Sequence, residues 1–156
     1  MVAFATHEIS REHVALTTRL AERLPIVIAD RVELQQVLLN LVINSIEALR
    51  PVVGRPKELV ITSARRNMGT LEVSVRDNGT GIEPQHLARM FDAFFTTRSN
   101  GMGLGLAISR RIVESYDGTL RASRNPHRGL TMTFTLPLPR QRDSRRALQR
   151  PKTARV

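Results

Sequence analysis

The sequence contains no cysteine, no tryptophan and only one tyrosine among its 156 residues. Because cysteine is absent, the chain forms neither disulfides nor thiolate metal sites, and a reducing compartment is permitted. No apolar run approaches the roughly 20 residues that a membrane-spanning helix requires. The segment 1–7 also lacks the basic and apolar regions of a signal peptide. We therefore expect a cytoplasmic location and no membrane segment in this chain.

Positive charge is in excess, but it is unevenly placed. The formal net charge of +10 would by itself favour nucleic-acid binding. Seven basic residues and one acidic residue lie within 140–156, so residues 1–139 carry a net charge of only +4. We therefore interpret 140–156 as a basic, disordered tail and expect no nucleic-acid partner.

Hydrophobic periodicity predicts five strands and three helices in mixed order. Apolar and polar residues alternate over Val14–Leu20, which indicates a half-buried strand, and further strands are predicted over 59–64, 71–75, 119–123 and 130–136. Helices are predicted from an N-cap at Asp30 to Leu49, over 84–90 and over about 104–116. This order predicts an α/β sandwich (α+β), with helices on one face of a mixed sheet. We expect a remnant or linker over 1–13 and a single domain over 14–139.

A polar stripe runs along the predicted long helix. Its members lie three or four residues apart, within about 80° of one helix face, and they are Glu33, Gln36, Asn40, Asn44 and Glu47. For the two glutamates a solvated face is a sufficient explanation. Asparagine is a poor helix former, and the runs of leucine, valine and isoleucine around Asn40 and Asn44 favour a ligand. An amide oxygen is suited to a magnesium ion that is held chiefly by substrate phosphates.

Two glycine-rich segments are candidate nucleotide contacts. Asp77-Asn78-Gly79-Thr80-Gly81 follows a predicted strand, where it is either a simple turn or a carboxylate facing a flat ring. Gly101-Met102-Gly103-Leu104-Gly105 opens a predicted helix, where backbone N–H groups favour phosphate. A flexible loop without ligand is the alternative for the second segment. Neither the Rossmann fingerprint nor the P-loop triplet is present.

The order and spacing of these segments resemble the sensor histidine kinases. Asn40 and Asn44 match the N box, 77–81 the first glycine box, Phe91 to Phe95 the F box, and 101–106 the second glycine box. The stretches 36–41 and 94–97 are most similar to the nitrogen-regulation and oxygen-sensing branch. The resemblance covers 14–139 and implies a Bergerat ATP-binding fold.

The resemblance also implies ATP and Mg²⁺ as cofactors and assigns roles to individual residues. Asp77 would accept a hydrogen bond from the adenine amine, and Asn44 would bind magnesium with Asn40 as a second polar ligand. Asn40, Asn44 and Arg98 would act in catalysis, although many relatives have lysine at the position of Arg98. The phenylalanines would anchor a mobile ATP lid over 96–102. The other expected nucleotide contacts are Glu47, Gly79, Gly81, Ile82, Phe94, Thr97, Gly101, Gly103, Leu104, Gly105 and Leu106.

The implied activity is transfer of the γ-phosphoryl group to a histidine on a separate helical dimerisation and phosphoacceptor domain. A response regulator would be an indirect partner. Relatives that hydrolyse ATP carry a glutamate base four residues before the magnesium asparagine, but here that position is Asn40, which is not a base at neutral pH. His7 lies too close to Asn40 for an acceptor hairpin between them, so we expect the acceptor domain to be absent from this chain. The alternatives are a stand-alone ATPase or serine kinase, and an interaction module that no longer binds nucleotide.

Overall fold

The chain folds into one five-stranded sheet with helices packed against it. A computed structural model describes residues 2–67, 69–96 and 102–139. The elements in chain order are α1 (Val2–Arg11), β1 (Val14–Leu20), α2 (Arg31–Leu49), β2 (Lys57–Asn67), β3 (Thr70–Asp77), α3 (Pro84–Leu87), α4 (Gly105–Ser115), β4 (Thr119–Arg124) and β5 (Leu130–Pro137). The strand order is β1-β2-β3-β5-β4. β1 and β2 pair in parallel, and the other pairs are antiparallel. The predicted mixed sheet of five strands with packed helices is confirmed.

The long helix α2 is the centre of the helical layer. It begins at Asp30, whose carboxylate accepts from the N–H groups of Val32 at 2.7 Å and Glu33 at 3.3 Å, as an N-cap does. Its apolar face is buried against the sheet, and α4 packs beside it. The core is one continuous cluster that joins α2, α4 and all five strands, with Val14 as the member from β1. This arrangement places the polar stripe of α2 next to α4 and the end of β3.

The strand β1 is correctly predicted, but it is not half-buried. Only Val14 is buried, whereas Leu16 is 43% and Leu20 is 60% exposed. The reason is position: β1 is an edge strand that pairs only with β2. The alternation of apolar residues therefore predicted an extended backbone, but it did not predict whether one face of the strand would be buried against other elements.

A fourth helix, α1, occupies the segment that was expected to be a remnant or linker. It packs against α2 and β1. Glu8 is 5% exposed, and its carboxylate pairs with Arg11 at 2.6 Å and Arg50 at 2.9 Å. Glu12 pairs with Arg50 at 3.2 Å and Lys57 at 3.5 Å. Ala5 and Ile9, four residues apart on this helix, pack against the core, so their spacing was a local signal of a helix that the prediction did not use.

The helix expected over 84–90 is shorter in the structure. It ends at Leu87, and single turns continue the chain to Asp92.

Met68, the segment 97–101 and the segment 140–156 lie outside the described residues. The expected contacts Thr97, Arg98 and Gly101, most of the expected lid and the expected tail fall there.

Candidate functional site

A cavity of about 270 Å³ opens between the C-terminal half of α2, the end of β3 and the start of α4. Its floor is polar, with Asp77 and Asn44, and its walls are mostly apolar. The predicted residues that line it are Asn44, Asp77, Gly81, Ile82, Gly103, Leu104, Gly105 and Leu106. One cavity therefore brings together members of three segments that are separated in the sequence by 20 or more residues.

Asp77 is the buried acid of this cavity, with only 2% of its surface exposed. It is the last residue of β3, and its Oδ1 accepts from the N–H groups of Gly79 at 2.9 Å and Leu130 at 3.3 Å. Burial raises the pKa of the Asp77 carboxyl above its usual value of 3.8, although these two N–H groups and the Ser45 hydroxyl oppose the rise. Among the described residues, the buried Ser45 Oγ has no hydrogen-bond partner of ordinary geometry. The floor is thus an oriented acceptor beside a hydroxyl with spare hydrogen-bonding capacity.

The turn between β4 and β5 holds Asp77 from the other side. Asn125 Nδ2 donates to the Asp77 carbonyl at 2.7 Å. Gly129 has a φ of +82°, and a Cβ there would lie 2.2 Å from the same carbonyl oxygen. Only glycine fits this position, because both the backbone angle and the close approach exclude a side chain. Gly129 was not predicted as a site residue; its one signal in the sequence is a glycine directly before a predicted strand.

Gly79 has a packing role behind the cavity and is not one of its lining residues. A Cβ at Gly79 would lie 2.6 Å from the Ala48 carbonyl oxygen. The next N–H group, from Thr80, donates to that oxygen at 3.0 Å. The first glycine segment therefore packs tightly against the end of α2. This contact fixes the direction in which the chain leaves Asp77.

The start of α4 forms the opposite wall. Gly103 has a φ of +65°, and a Cβ there would lie 2.6 Å from the backbone carbon of Phe94. The Phe94 N–H donates to the Gly103 carbonyl at 3.0 Å, so the chain doubles back on itself just before the helix. Leu104 at the N-cap provides no side-chain hydrogen bond to the first turn of α4. The N–H groups of that turn are consequently suited to an external anion.

Of the two adjacent phenylalanines, Phe95 and not Phe94 faces the cavity. Phe94 is 76% exposed and has a φ of +64°, whereas Phe95 lines the cavity. The Arg89 guanidinium lies 4.8 Å from the centre of the Phe95 ring, and the His86 ring packs on it at 5.6 Å. Phe94, whose backbone is left-handed, thus directs its side chain away from the cavity, and its predicted nucleotide contact remains a prediction.

The polar stripe of α2 divides into residues with different partners. Asn44 lines the cavity, and its Nδ2 donates to the Asn40 carbonyl at 2.7 Å. Asn40 itself does not line the cavity, and its amide faces α4. Glu33 accepts a short hydrogen bond from the Tyr116 hydroxyl at the far end of α4. Glu47 is not among the lining residues, so its predicted nucleotide contact remains a prediction.

Seven lining residues were not among the predicted nucleotide contacts, although Phe95 belongs to the predicted F box and Thr96 and Met102 bound the predicted lid. They are mostly apolar or small and are Ala48, Met90, Phe95, Thr96, Met102, Leu130 and Met132. A flat apolar slot with a carboxylate at its floor suits a heteroaromatic ring bearing an amine, and the helix start suits phosphate. An amide oxygen at Asn44 is the donor type that magnesium prefers. The residues present therefore fit a nucleotide with its metal.

No helix in 2–67, 69–96 or 102–139 is long and apolar enough to cross a bilayer. Within the same ranges, histidine, cysteine, aspartate and glutamate side chains nowhere gather in a group of three that could hold a metal ion.

Residues 29–140 match the family described as histidine kinase-, DNA gyrase B-, and HSP90-like ATPase. The sensor protein FixL of Bradyrhizobium diazoefficiens is 43% identical over 112 residues, which are 72% of this chain and 22% of FixL. The catalytic domain of the histidine kinase ThkA is 30% identical with a TM-score of 0.74, and the match covers 88% of this chain and 89% of that one.

A third comparison includes a nucleotide analogue. The full-length ShkA structure, in complex with AMPPNP, is 26% identical with a TM-score of 0.74, over 86% of this chain and 28% of that one. This chain spans about a fifth to a quarter of the length of the curated relatives it matches first, the sensor proteins FixL, TdiS and DctS.

Proposed function

The chain belongs to the histidine kinase-, DNA gyrase B- and HSP90-like ATPase family, and we propose that it is the part of a sensor histidine kinase that binds ATP with magnesium. We further propose that it donates the γ-phosphoryl group to a histidine on a separate helical phosphoacceptor domain. The observation that carries the proposal is the single cavity that joins Asp77, Asn44 and the uncapped start of α4. A response regulator is the proposed indirect partner, as ThkA forms a complex with the response regulator TrrA.

In the proposed complex, each side of the cavity binds a different part of the nucleotide. Asp77 accepts a hydrogen bond from an exocyclic amine, and the apolar walls contact the two faces of the base. The N–H groups at the start of α4 bind phosphate oxygens. A magnesium ion, when bound, offsets the negative charge of the phosphates, and Asn44 is the cavity side chain that would hold it.

The proposed phosphoryl transfer exchanges one bond of the γ-phosphorus for another. A lone pair on an imidazole nitrogen of the acceptor forms a P–N bond to the γ-phosphorus, while the bond from that phosphorus to the bridging oxygen of ADP breaks. The ring releases the proton on its other nitrogen to water, and ADP leaves. Phosphoryl transfer depends mainly on positioning and on stabilisation of charge, so the residues of this chain act by holding the nucleotide in line.

Loss of Asn44 tests the proposal. We expect Asn44→Ala to fold and to lose phosphotransfer to an acceptor domain supplied in trans, because the metal loses its protein ligand. Gln36→Ala is the matched control, since Gln36 lies on the same stripe of α2 but does not line the cavity. Transfer that persists in Asn44→Ala with unchanged magnesium dependence would refute the assignment.

The same assay separates the proposed kinase from the alternatives. With γ-labelled ATP and no added acceptor, we expect the 156-residue chain to release little phosphate and to gain no stable label. Rapid phosphate release would instead identify a stand-alone ATPase. Acid-labile label that disappears in His7→Ala would identify His7 as an acceptor, and failure to bind ATP would identify an interaction module.

A further inference from the structure

Asn40 forms a closed hydrogen-bond ring with the first turn of α4. Its Nδ2 lies 3.0 Å from the Gly105 carbonyl oxygen and 3.0 Å from the Ser109 Oγ. The Ser109 hydroxyl donates to the same Gly105 carbonyl at 2.8 Å. Both N–H bonds of the Asn40 amide are thus engaged with α4, and Ser109 is completely buried.

This ring lies directly behind the wall of the cavity that faces the phosphates. Gly103, Leu104, Gly105 and Leu106 line the cavity, whereas Asn40 and Ser109 do not. A Cβ at Gly105 would lie 3.6 Å from the Asn40 amide carbon, so the glycine presents its bare side to the asparagine. The Asn40 amide therefore binds the α4 backbone on the side that faces away from the cavity.

The opposite end of α4 is fastened independently. The Tyr116 hydroxyl donates to Glu33 and accepts from the Asp30 N–H at 2.9 Å, at the other end of α2. Val113 on α4 is also completely buried in the core. Loss of the Asn40 ring would consequently leave α4 attached and would release only its N-terminal turn.

We infer that Asn40 is a positioning residue: with Ser109 it fixes the first turn of α4 to α2 and so aims the backbone N–H groups that bind the nucleotide's phosphates. The inference rests on the proposed function and replaces the expected role of Asn40 as a second magnesium ligand. A positioning residue acts on phosphate binding whether or not metal is present. A metal ligand acts only when metal is present.

The test compares ADP binding with magnesium and with EDTA, by calorimetry on the full 156-residue chain. Asn40→Ala and Asn40→Asp each remove both donors to α4. We expect each to weaken ADP binding by about tenfold, and by the same factor in both conditions, as two neutral hydrogen bonds imply. Adenosine binding, followed by NMR, should not change, because adenosine has no phosphate for the start of α4 to bind.

Ser109→Ala supplies a second route to the same ring. It should weaken ADP binding in both conditions, and its cost should not add to that of Asn40→Ala, because both changes remove the same contact. Ser115→Ala is the matched control: it removes a hydroxyl on the same helix that bonds only to the Ile112 carbonyl at 2.7 Å. We expect it to bind ADP as the unchanged chain does.

Several results would overturn the inference. Asn40→Asp that keeps or gains ADP affinity with magnesium and is unchanged in EDTA would identify a metal ligand. An equal loss of adenosine and ADP binding in the Asn40 variants would identify a general loss of structure. A lowered unfolding temperature for Ser109→Ala with unchanged ADP affinity would identify the same. If the unchanged chain binds no ADP in either condition, the proposed function fails, and this inference fails with it.

Discussion

At the scale of single residues, Asp77 combines a functional position with an electrostatic cost. Its carboxylate is buried, and two backbone N–H groups hold it in one orientation. Burial raises its pKa above 3.8. A carboxyl whose pKa is higher in the folded state than in the unfolded state stabilises the fold when it is protonated. This stabilisation is complete below the pKa of the unfolded state, and it is lost as the pH rises through the pKa of the folded state. The charge that recognises an amine therefore lowers stability at neutral pH.

Asp77→Asn should consequently separate affinity from stability. The amide keeps an acceptor for the N–H groups of Gly79 and Leu130 but removes the buried charge. We expect ADP affinity to fall roughly ten- to hundredfold, because a hydrogen bond to a charged group contributes about 1.5–3 kcal/mol. We also expect the variant to gain stability relative to the unchanged chain as pH rises from about 4 to 7, measured by urea unfolding.

Asp92→Asn is the control, because Asp92 is exposed and does not line the cavity. Its stability relative to the unchanged chain should not rise over the same pH range. Wild-type ADP affinity in Asp77→Asn would remove Asp77 from the site, and a stability difference that does not vary with pH would refute the account of its buried charge.

Gly129 and Gly54 form a natural pair for testing the close approach at Asp77. Their φ angles are +82° and +74°, but a Cβ at Gly129 would meet the Asp77 carbonyl, whereas one at Gly54 would meet nothing within 4 Å. Gly54→Ala should cost about 1–2 kcal/mol of unfolding free energy from backbone strain alone. Gly129→Ala should cost more and should also weaken ADP binding, because it displaces Asp77. Equal costs and equal ADP affinity would contradict this role.

At the scale of elements, the decisive contact is between α2 and α4, which run antiparallel. Three residues of the polar stripe have different functions along this contact: Glu33 holds Tyr116, Asn40 holds the start of α4, and Asn44 lines the cavity. Burial raises the pKa of the Tyr116 hydroxyl, and the neighbouring Glu33 carboxylate raises it further. Tyr116 therefore remains a neutral donor to Glu33 throughout the physiological range.

Tyr116→Phe should loosen this contact at its far end. The substitution removes a donor to a carboxylate and an acceptor for the Asp30 N–H, so we expect a loss of about 1–3 kcal/mol in the free energy of unfolding. Arg110→Ala is the control on the same helix, since its ion pair with Glu114 at 2.8 Å is exposed and should contribute less than about 1 kcal/mol. Equal effects of the two changes in urea unfolding would show that the Tyr116 contact is not structural.

At the scale of the whole molecule, the cavity and the hydrophobic core share residues. Leu130 and Met132 line the cavity and also belong to the hydrophobic cluster that joins the strands to α2 and α4. A ligand that binds only the folded state stabilises the fold by about 2.7 kcal/mol at a concentration of one hundred times its Kd. Because the core is continuous, this stabilisation should apply to one cooperative unfolding transition.

We therefore expect ADP to shift a single thermal unfolding transition upward, with the shift growing as the logarithm of ADP concentration. The same titration with Asp77→Asn should need roughly ten- to hundredfold more ADP for an equal shift. Differential scanning calorimetry would check both statements. Two separate transitions, of which only one moves with ADP, would show that the cavity is not coupled to the whole core.

The sequence by itself determined the five strands, the long helix α2 with its cap at Asp30, and the family. These follow from local signals: apolar periodicity, capping chemistry, and the fixed spacing of asparagine, aspartate and glycine. It also predicted eight residues that line the cavity. Such residues are detectable because glycine, and asparagine within an apolar helix, are costly unless a contact or a ligand requires them.

Only the tertiary structure decided which side each residue faces and what lies opposite. It turned Phe94 outward and Phe95 inward, engaged Asn40 with α4, and added Gly129 and Leu130 around Asp77. It also left β1 exposed at an edge and packed the N-terminal helix α1 onto α2. The physical reason is that these outcomes depend on contacts between residues distant in sequence, whereas the local pattern of residue types fixes only the conformation of each segment.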